Sequence, residues 1–160
     1  VGLKFFNVYG PNEEHKRSMK SVASQIWPHV RDGQGVQLFK SYREGVPDGG
    51  QKRDFVYVRD VADIVAWLAQ TPDVNGVFNL GSGTARTFED LARAVFSAAG
   101  RDARIDYTPM PPAIRDKYQY FTEAKMDRLK AAGYVKPMTP LEEGIEDYVQ
   151  SYLNQPDPYR

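Results

Sequence analysis

Short runs of β-branched and aromatic residues alternate with segments of helical period along most of the chain. The runs fall at residues 1–9, 36–39, 55–58, 77–80 and 105–108. Between them, apolar residues recur at the spacing that forms the buried face of a helix. This alternation predicts an α/β fold in which helices connect the strands of a largely parallel sheet.

The first run, VGLKFFNVY, is apolar nearly throughout, so we expect a strand that is buried on both faces. It is followed by the loop GPNEEHKRS, residues 10–18. In open α/β sheets, ligands bind beyond the carboxyl ends of the strands. Two interpretations of this loop are therefore open. It is either a solvated charged loop or one side of an active site that includes Lys16.

Several residues predict where the helices begin and end. A first helix is expected from Ser18, with Pro28 kinking or shortening it. Residues 87–90 (TFED) and 139–142 (TPLE) both have the pattern of a capping box. Asp60 is predicted to cap the helix that follows the third strand.

The composition excludes several classes of protein. Lysine plus arginine equals aspartate plus glutamate at 21 each, so no net charge favours nucleic acid or an anionic membrane. The absence of cysteine excludes a disulfide framework and thiolate metal sites, and it fits a cytoplasmic protein. The two histidines suggest no metal cluster. The sequence contains neither a membrane-spanning apolar run nor a signal peptide, and we expect no membrane partner.

Three further features have both a structural and a functional interpretation. Arg53 either holds a phosphate bidentately or pairs with Asp54 to fix the loop before the third strand. Residues 81–83 (GSG) are either a phosphate cradle or a plain turn, because the third glycine of a dinucleotide fingerprint is missing. Tyr118 and Tyr120 either stack on a sugar or base or belong to the core.

Four motifs taken together carry a resemblance to a known family. They are FNVYGP, RDFVYVRDVAD, FNLGSG and TPLEEGI. The chain resembles the carboxyl-terminal half of the extended short-chain dehydrogenase/reductases, the nucleotide-sugar epimerases and dehydratases. The resemblance implies the last parallel strands of a Rossmann-like fold and a small α/β substrate-binding subdomain. Residues 1–17 and 54–100 would belong to the Rossmann part, and residues 18–53 and 101–153 to the subdomain.

The resemblance also implies a part that these residues do not contain. The amino-terminal half of the family carries a glycine-rich dinucleotide loop and a Tyr-x-x-x-Lys pair, and neither pattern occurs here. We therefore expect the cofactor-binding half to lie outside this chain. The chain alone is expected to be inactive, and the full-length enzyme to be a homo-oligomer.

Within the family, the run Gly-Pro-Asn-Glu-x-His-Lys followed by Ser is similar to epimerases that act at carbon 6 of the heptose in an ADP-sugar. This resemblance implies that Lys16 is one of two catalytic bases and that Val8 contacts the cofactor, NADP or alternatively NAD. The implied contacts to the ADP-sugar are Asn7, Ser18, Gln25, Phe39, Lys40, Ser41, Tyr42, Arg53 and Tyr118.

Two alternatives remain open. One is another nucleotide-sugar epimerase or a 4,6-dehydratase of the same family. The other is a non-catalytic module that binds a nucleotide sugar.

Overall fold

The computed structural model describes residues 1–157, so the last three residues of the predicted 1–160 unit lie outside the described part. Its seven strands form small sheets in which most pairs are parallel. The strands are β1 (Gly2–Phe5), β2 (Asn7–Tyr9), β3 (Val36–Phe39), β4 (Lys52–Tyr57), β5 (Val77–Leu80), β6 (Ala85–Thr87) and β7 (Ile105–Thr108). β1 pairs with β5, β2 with β4, and β3 with β7, all in parallel, while β6 runs antiparallel to β4. The predicted α/β fold is confirmed.

The α-helices follow the strands in the alternating order that the sequence predicts. They are α1 (Val22–Arg31), α2 (Val58–Gln70), α3 (Phe88–Ala98), α4 (Pro112–Arg115), α5 (Asp127–Ala131) and α6 (Leu141–Tyr148). A 3₁₀ helix (Glu14–Met19) precedes α1, and a π-helix (Val149–Leu153) continues α6. Within residues 1–157, no helix combines the length and the apolar character needed to cross a bilayer.

The first predicted strand is two strands in the structure. β1 and β2 are separated by Phe6, whose backbone N–H donates to the Leu80 carbonyl oxygen at 2.9 Å. The prediction that this segment is buried on both faces is wrong, since Val1 is 61% and Phe5 55% exposed. β1 pairs with a single strand in the described chain, and only Leu3 of its side chains packs against a core. The apolar composition therefore does not correspond to burial here.

Two hydrophobic cores lie on opposite faces of β4. Phe55 and Tyr57 point into a core formed by α1, α3, α6 and β3. Val56, between them, points into a second core formed by α2, β5 and α5. Alternate residues of a strand face opposite sides, so a single strand supplies both cores. α3 packs with α1 in the first core, and the predicted boundary between the Rossmann part and the subdomain stays a prediction.

Residues 87–90 form the predicted capping box. Thr87 Oγ1 accepts from the Asp90 N–H at 2.9 Å, and the Thr87 N–H donates to the Asp90 carboxylate at 3.0 Å. The second predicted box is wrong, because the Thr139 N–H and hydroxyl both donate to the Asp60 carboxylate, at 2.8 and 2.9 Å. Asp60 itself lies inside the first turn of α2 and does not cap that helix. One long-range contact thus overturns both local predictions.

α1 also differs from the sequence prediction. It begins after Ser21, whose hydroxyl caps the helix, and not at Ser18. The helix continues through Pro28, so the expected shortening is wrong. Proline removes one backbone hydrogen bond, whereas Trp27 and Val30 on the same turn are buried in the first core. Tertiary packing therefore outweighs the local cost.

Candidate functional site

A cavity of about 550 Å³ opens at the carboxyl end of β2. Asn7, Val8 and Lys16 line it, and all three are predicted site residues. The rest of its wall comes from Phe6, Tyr9, Met19, Lys20, Ser21, Val22, Phe55 and Leu91. The end of a parallel strand thus opens onto a cavity, as expected for ligand sites in α/β sheets.

The charged loop that follows β2 divides into inward and outward side chains. The Glu13 side chain is turned inward, and the residue is only 3% exposed. Glu14 pairs with Lys20 at 2.9 Å and accepts a hydrogen bond from the Ser24 hydroxyl. Among residues 1–157, the Lys16 ammonium has no hydrogen-bond or ion-pair partner, and its side chain borders the cavity. The loop therefore leaves one lysine free to meet a ligand.

A second cavity of about 260 Å³ lies between α1 and β3. It brings together Gln25, Phe39 and Tyr118, which come from three separate parts of the chain. Val22 lines both cavities, so the two adjoin. Burial raises the pKa of Tyr118 above its ordinary value, so its phenol stays protonated and can donate a hydrogen bond.

Arg53 is buried beside this second cavity, with 9% of its surface exposed. Its guanidinium carbon lies 5.5 Å from the ring centre of Phe88 and 5.2 Å from that of Tyr118. Its Nη1 donates to the Lys52 carbonyl oxygen, and in the described part of the chain it has no carboxylate partner. Burial lowers the pKa of Arg53, but an arginine remains a cation at neutral pH. A desolvated cation held between aromatic rings suits an anionic ligand.

The predicted alternative in which Arg53 pairs with Asp54 is wrong. These neighbours on β4 point to opposite faces. The Asp54 carboxylate accepts from the Ser82 N–H at 2.6 Å, the Ser82 hydroxyl at 2.8 Å, and the N–H groups of Gly83 and Ala124 at 2.9 Å. The phosphate-cradle interpretation of residues 81–83 is also wrong, because a protein carboxylate already occupies these donors.

Residues 40–42, which are predicted to contact the substrate, do not line either cavity. Lys40 is exposed, and the Ser41 N–H donates to the Asp48 carboxylate at 2.6 Å. The Tyr42 ring is covered by Arg115, whose guanidinium carbon lies 3.7 Å from the ring centre. This loop is therefore attached to α4, and the substrate contacts predicted in it stay predictions.

Ser18 is exposed and likewise lines neither cavity. Its carbonyl oxygen accepts from the Gln25 amide at 3.4 Å, and the same amide donates to the Lys20 carbonyl oxygen at 2.6 Å. Gln25 thus connects the loop to α1. Its side-chain amide is already engaged on the protein, and its contact to a substrate stays a prediction.

Sequence reasoning missed Glu13, which joins the loop to the core. Its carboxylate accepts from the Ser21 N–H, the Ser21 hydroxyl and the Tyr148 hydroxyl. No local pattern distinguishes this buried glutamate from its exposed neighbour His15. The capping residue Ser21 was the one available signal that the loop has a fixed end.

Parallel strands, alternating helices and a cavity at a strand end define a Rossmann-like class of α/β protein. The chain belongs to the NAD dependent epimerase/dehydratase family, whose model matches residues 1–81. This finding confirms the family resemblance and the extended dehydrogenase/reductase fold.

Individual relatives refine the comparison. The chain is 50% identical over 159 residues to the ADP-L-glycero-D-manno-heptose-6-epimerase of Nitratidesulfovibrio vulgaris, covering 99% of this chain and 49% of that protein. The crystal structure of the Helicobacter pylori ADP-L-glycero-D-manno-heptose-6-epimerase matches with a TM-score of 0.75 at 30% identity, covering 94% of this chain and 43% of that one.

A third match is the Thermus thermophilus UDP-glucose 4-epimerase in complex with NAD. It has a TM-score of 0.71 at 29% identity, covering 92% of this chain and 44% of that one. The chain spans about half the length of the curated relatives it matches.

Proposed function

We propose that the full-length protein containing these residues converts ADP-D-glycero-D-manno-heptose into ADP-L-glycero-D-manno-heptose by inversion at carbon 6. The observation that carries this proposal is the 50% identity, over 159 residues, to a heptose epimerase. An independent argument comes from the site. Residues from distant parts of the chain border two adjoining cavities beside a free lysine and a buried arginine.

The larger cavity suits the sugar. Asn7 offers a carboxamide donor and acceptor, and the Lys16 ammonium is uncommitted to any group in residues 1–157. Arg53 suits the diphosphate, because two N–H groups of a guanidinium match two phosphate oxygens. Phe39 and Tyr118, which meet edge to face at 6.2 Å, suit the nucleotide. The proposed substrate would thus extend from the first cavity into the second.

The residues present fit one end of a nicotinamide dinucleotide. Val8 borders the first cavity with Phe6, Val22, Phe55 and Leu91, an apolar wall that suits a planar ring. The backbone amides of Ser82 and Gly83 are not available to its diphosphate, because both donate to the Asp54 carboxylate. We propose NADP, with NAD as the alternative, and assign most of its binding site to the other half of the enzyme.

The chemistry proposed for this chain is a proton transfer. When held in part by Val8, the dinucleotide would supply hydride transfer at carbon 6, so that the carbon passes through a ketone and regains the hydride on its opposite face. Lys16 Nζ, as an unprotonated amine, would take the hydroxyl proton on one face, and the ketone oxygen would receive its proton from the opposite face when the hydride returns. A second acid/base group in the other half would serve the opposite face. Two groups on opposite faces are what inversion of a single carbon requires.

The assembly of the active enzyme is also a proposal. Residues 1–17 and 54–100 would complete a Rossmann domain contributed mainly by the other half, and the remaining segments would hold the substrate. We propose that the full-length enzyme is a homo-oligomer in the cytoplasm. The 160-residue chain alone would lack the dinucleotide loop and would be inactive.

The test is a substrate panel with the full-length protein from the reading frame that contains these residues. We expect ADP-D-glycero-D-manno-heptose to be converted, with proton NMR detecting the new isomer, and UDP-glucose to remain unchanged. Turnover of UDP- or dTDP-hexoses in place of the heptose would instead support a hexose epimerase or a dehydratase. Binding of nucleotide sugars without any turnover would support a non-catalytic module.

A further inference from the structure

We propose that Glu13 is the positioning residue for Lys16. Its carboxylate would hold the 3₁₀ helix in the one arrangement that brings the lysine to the cavity. This inference rests on the proposed function for the role of Lys16. The anchoring itself is a property of the protein that is measurable without any substrate.

Glu13 holds the lysine segment through both its backbone and its side chain. The Glu13 carbonyl oxygen accepts from the Lys16 N–H at 2.9 Å, which closes the first turn of the 3₁₀ helix. The carboxylate accepts from the Ser21 N–H at 2.7 Å and the Ser21 hydroxyl at 2.5 Å. It also accepts from the Tyr148 hydroxyl at 2.9 Å. One residue therefore links the backbone of Lys16 to α1 and to α6.

The Glu13 carboxylate is buried, so it depends on the donors that surround it in this one arrangement. A buried carboxylate is stable only where donors replace its hydration, and the three donors to Glu13 come from two packed helices. Tyr148 lies in the first core and is 1% exposed. Burial raises the pKa of the Tyr148 phenol, and the nearby Glu13 carboxylate raises it further. The phenol thus stays protonated as a donor. The position of the loop is tied to rigid structure.

The backbone next to Lys16 needs this restraint. Arg17 has φ of 52° and ψ of −119°, a conformation that favours glycine. The segment is held on its other side by the Lys20–Glu14 ion pair and by the Lys20 N–H, which donates to the Arg17 carbonyl oxygen. A strained turn persists only where its surroundings fix it. Weakening the Glu13 anchor would release the turn and move Lys16 away from the cavity.

The variant Glu13→Gln tests this proposal. Glutamine retains one acceptor, but its NH₂ group faces a donor that the carboxylate now accepts from. We expect hydrogen exchange of amides 14–20 to rise about tenfold, with the later turns of α1 unchanged. In the full-length enzyme we expect kcat to fall about tenfold, with KM for the ADP-heptose within about twofold, because Arg53 and Tyr118 are unaffected.

Two further variants make the test decisive. Tyr148→Phe keeps the ring in the core and removes one donor, so it should show the same changes at a smaller size. Glu143→Gln, an exposed glutamate on α6, is the matched control and should behave as wild type. Unchanged exchange at 14–20, or an unchanged kcat in folded Glu13→Gln enzyme, would overturn the proposal. If wild-type enzyme fails to convert the heptose while exchange rises as expected, the anchor stands and the proposed function fails.

Discussion

Replacing Asp54 with asparagine should be among the most damaging conservative changes in this chain. The residue is 0% exposed, and its carboxylate accepts from four donors, three of them backbone N–H groups. An asparagine retains one oxygen and presents an NH₂ group in the place of the other. If that group replaces Oδ2, the N–H groups of Gly83 and Ala124 lose their acceptor. If the NH₂ group replaces Oδ1, the Ser82 N–H loses its acceptor.

The expected cost follows from these two arrangements. Each buried donor without an acceptor costs about 1–3 kcal/mol, and the remaining hydrogen bonds lose the strength that a charged acceptor gives. We therefore expect Asp54→Asn to lower the free energy of unfolding by about 3–5 kcal/mol. Typical domains have about 5–15 kcal/mol in total.

Urea denaturation of the 160-residue chain, followed by circular dichroism, measures this loss. The control is Asp102→Asn, the same chemical change at an exposed aspartate, which should stay within about 0.5 kcal/mol of wild type. A loss below about 1 kcal/mol for Asp54→Asn would refute the reasoning, because the four hydrogen bonds would then contribute little.

Two further predictions concern α6. Gly144→Ala should destabilise the chain by about 1–3 kcal/mol in thermal unfolding, because a Cβ at this position would collide with the Tyr9 hydroxyl. This loss is expected even though alanine favours helices more than glycine does. A variant more stable than wild type would contradict the packing of Tyr9 against α6. The hydrogen bonds from Arg86 lower the pKa of Glu142, so this pair stabilises the fold above the ordinary glutamate pKa and loses its effect as pH falls through the lowered value. Arg86→Met should therefore melt below wild type at about pH 6, and the difference should shrink by about pH 3; a gap that is constant with pH would exclude this role.

Local patterns predicted those features whose partners are near in sequence. The capping box at Thr87 needs only Asp90, three residues later, and it is present. The similar pattern at Thr139 fails because its donors meet Asp60, 79 residues away. Because successive side chains of a strand point to opposite faces, the sequence is enough to place Arg53 and Asp54 apart. Only the fold shows which donors Asp54 meets. Spacing in the sequence has no information about such distant partners.

The residues of the candidate site also differ in whether neighbours in the sequence or distant contacts fix their positions. Lys16, Asn7 and Val8 were predictable as neighbours, because they flank the end of one strand. The role of Glu13 was not, since its donor Tyr148 lies 135 residues away on α6. Lys40 and Tyr42 lie near the site in sequence, yet the described loop points them away from both cavities. Whether a loop residue faces a cavity is decided by packing that the local sequence does not encode.

The variant Lys16→Met tests the central proposal most directly. Methionine keeps much of the length and apolar stem of lysine and removes the group that would transfer the proton. In the full-length enzyme with ADP-D-glycero-D-manno-heptose, we expect kcat to fall by about 100-fold or more. Lys125→Met, at an exposed lysine that lines neither cavity, should retain the wild-type rate. If Lys16→Met instead epimerises the heptose at the wild-type rate, Lys16 is not a catalytic base and the proposed mechanism is wrong.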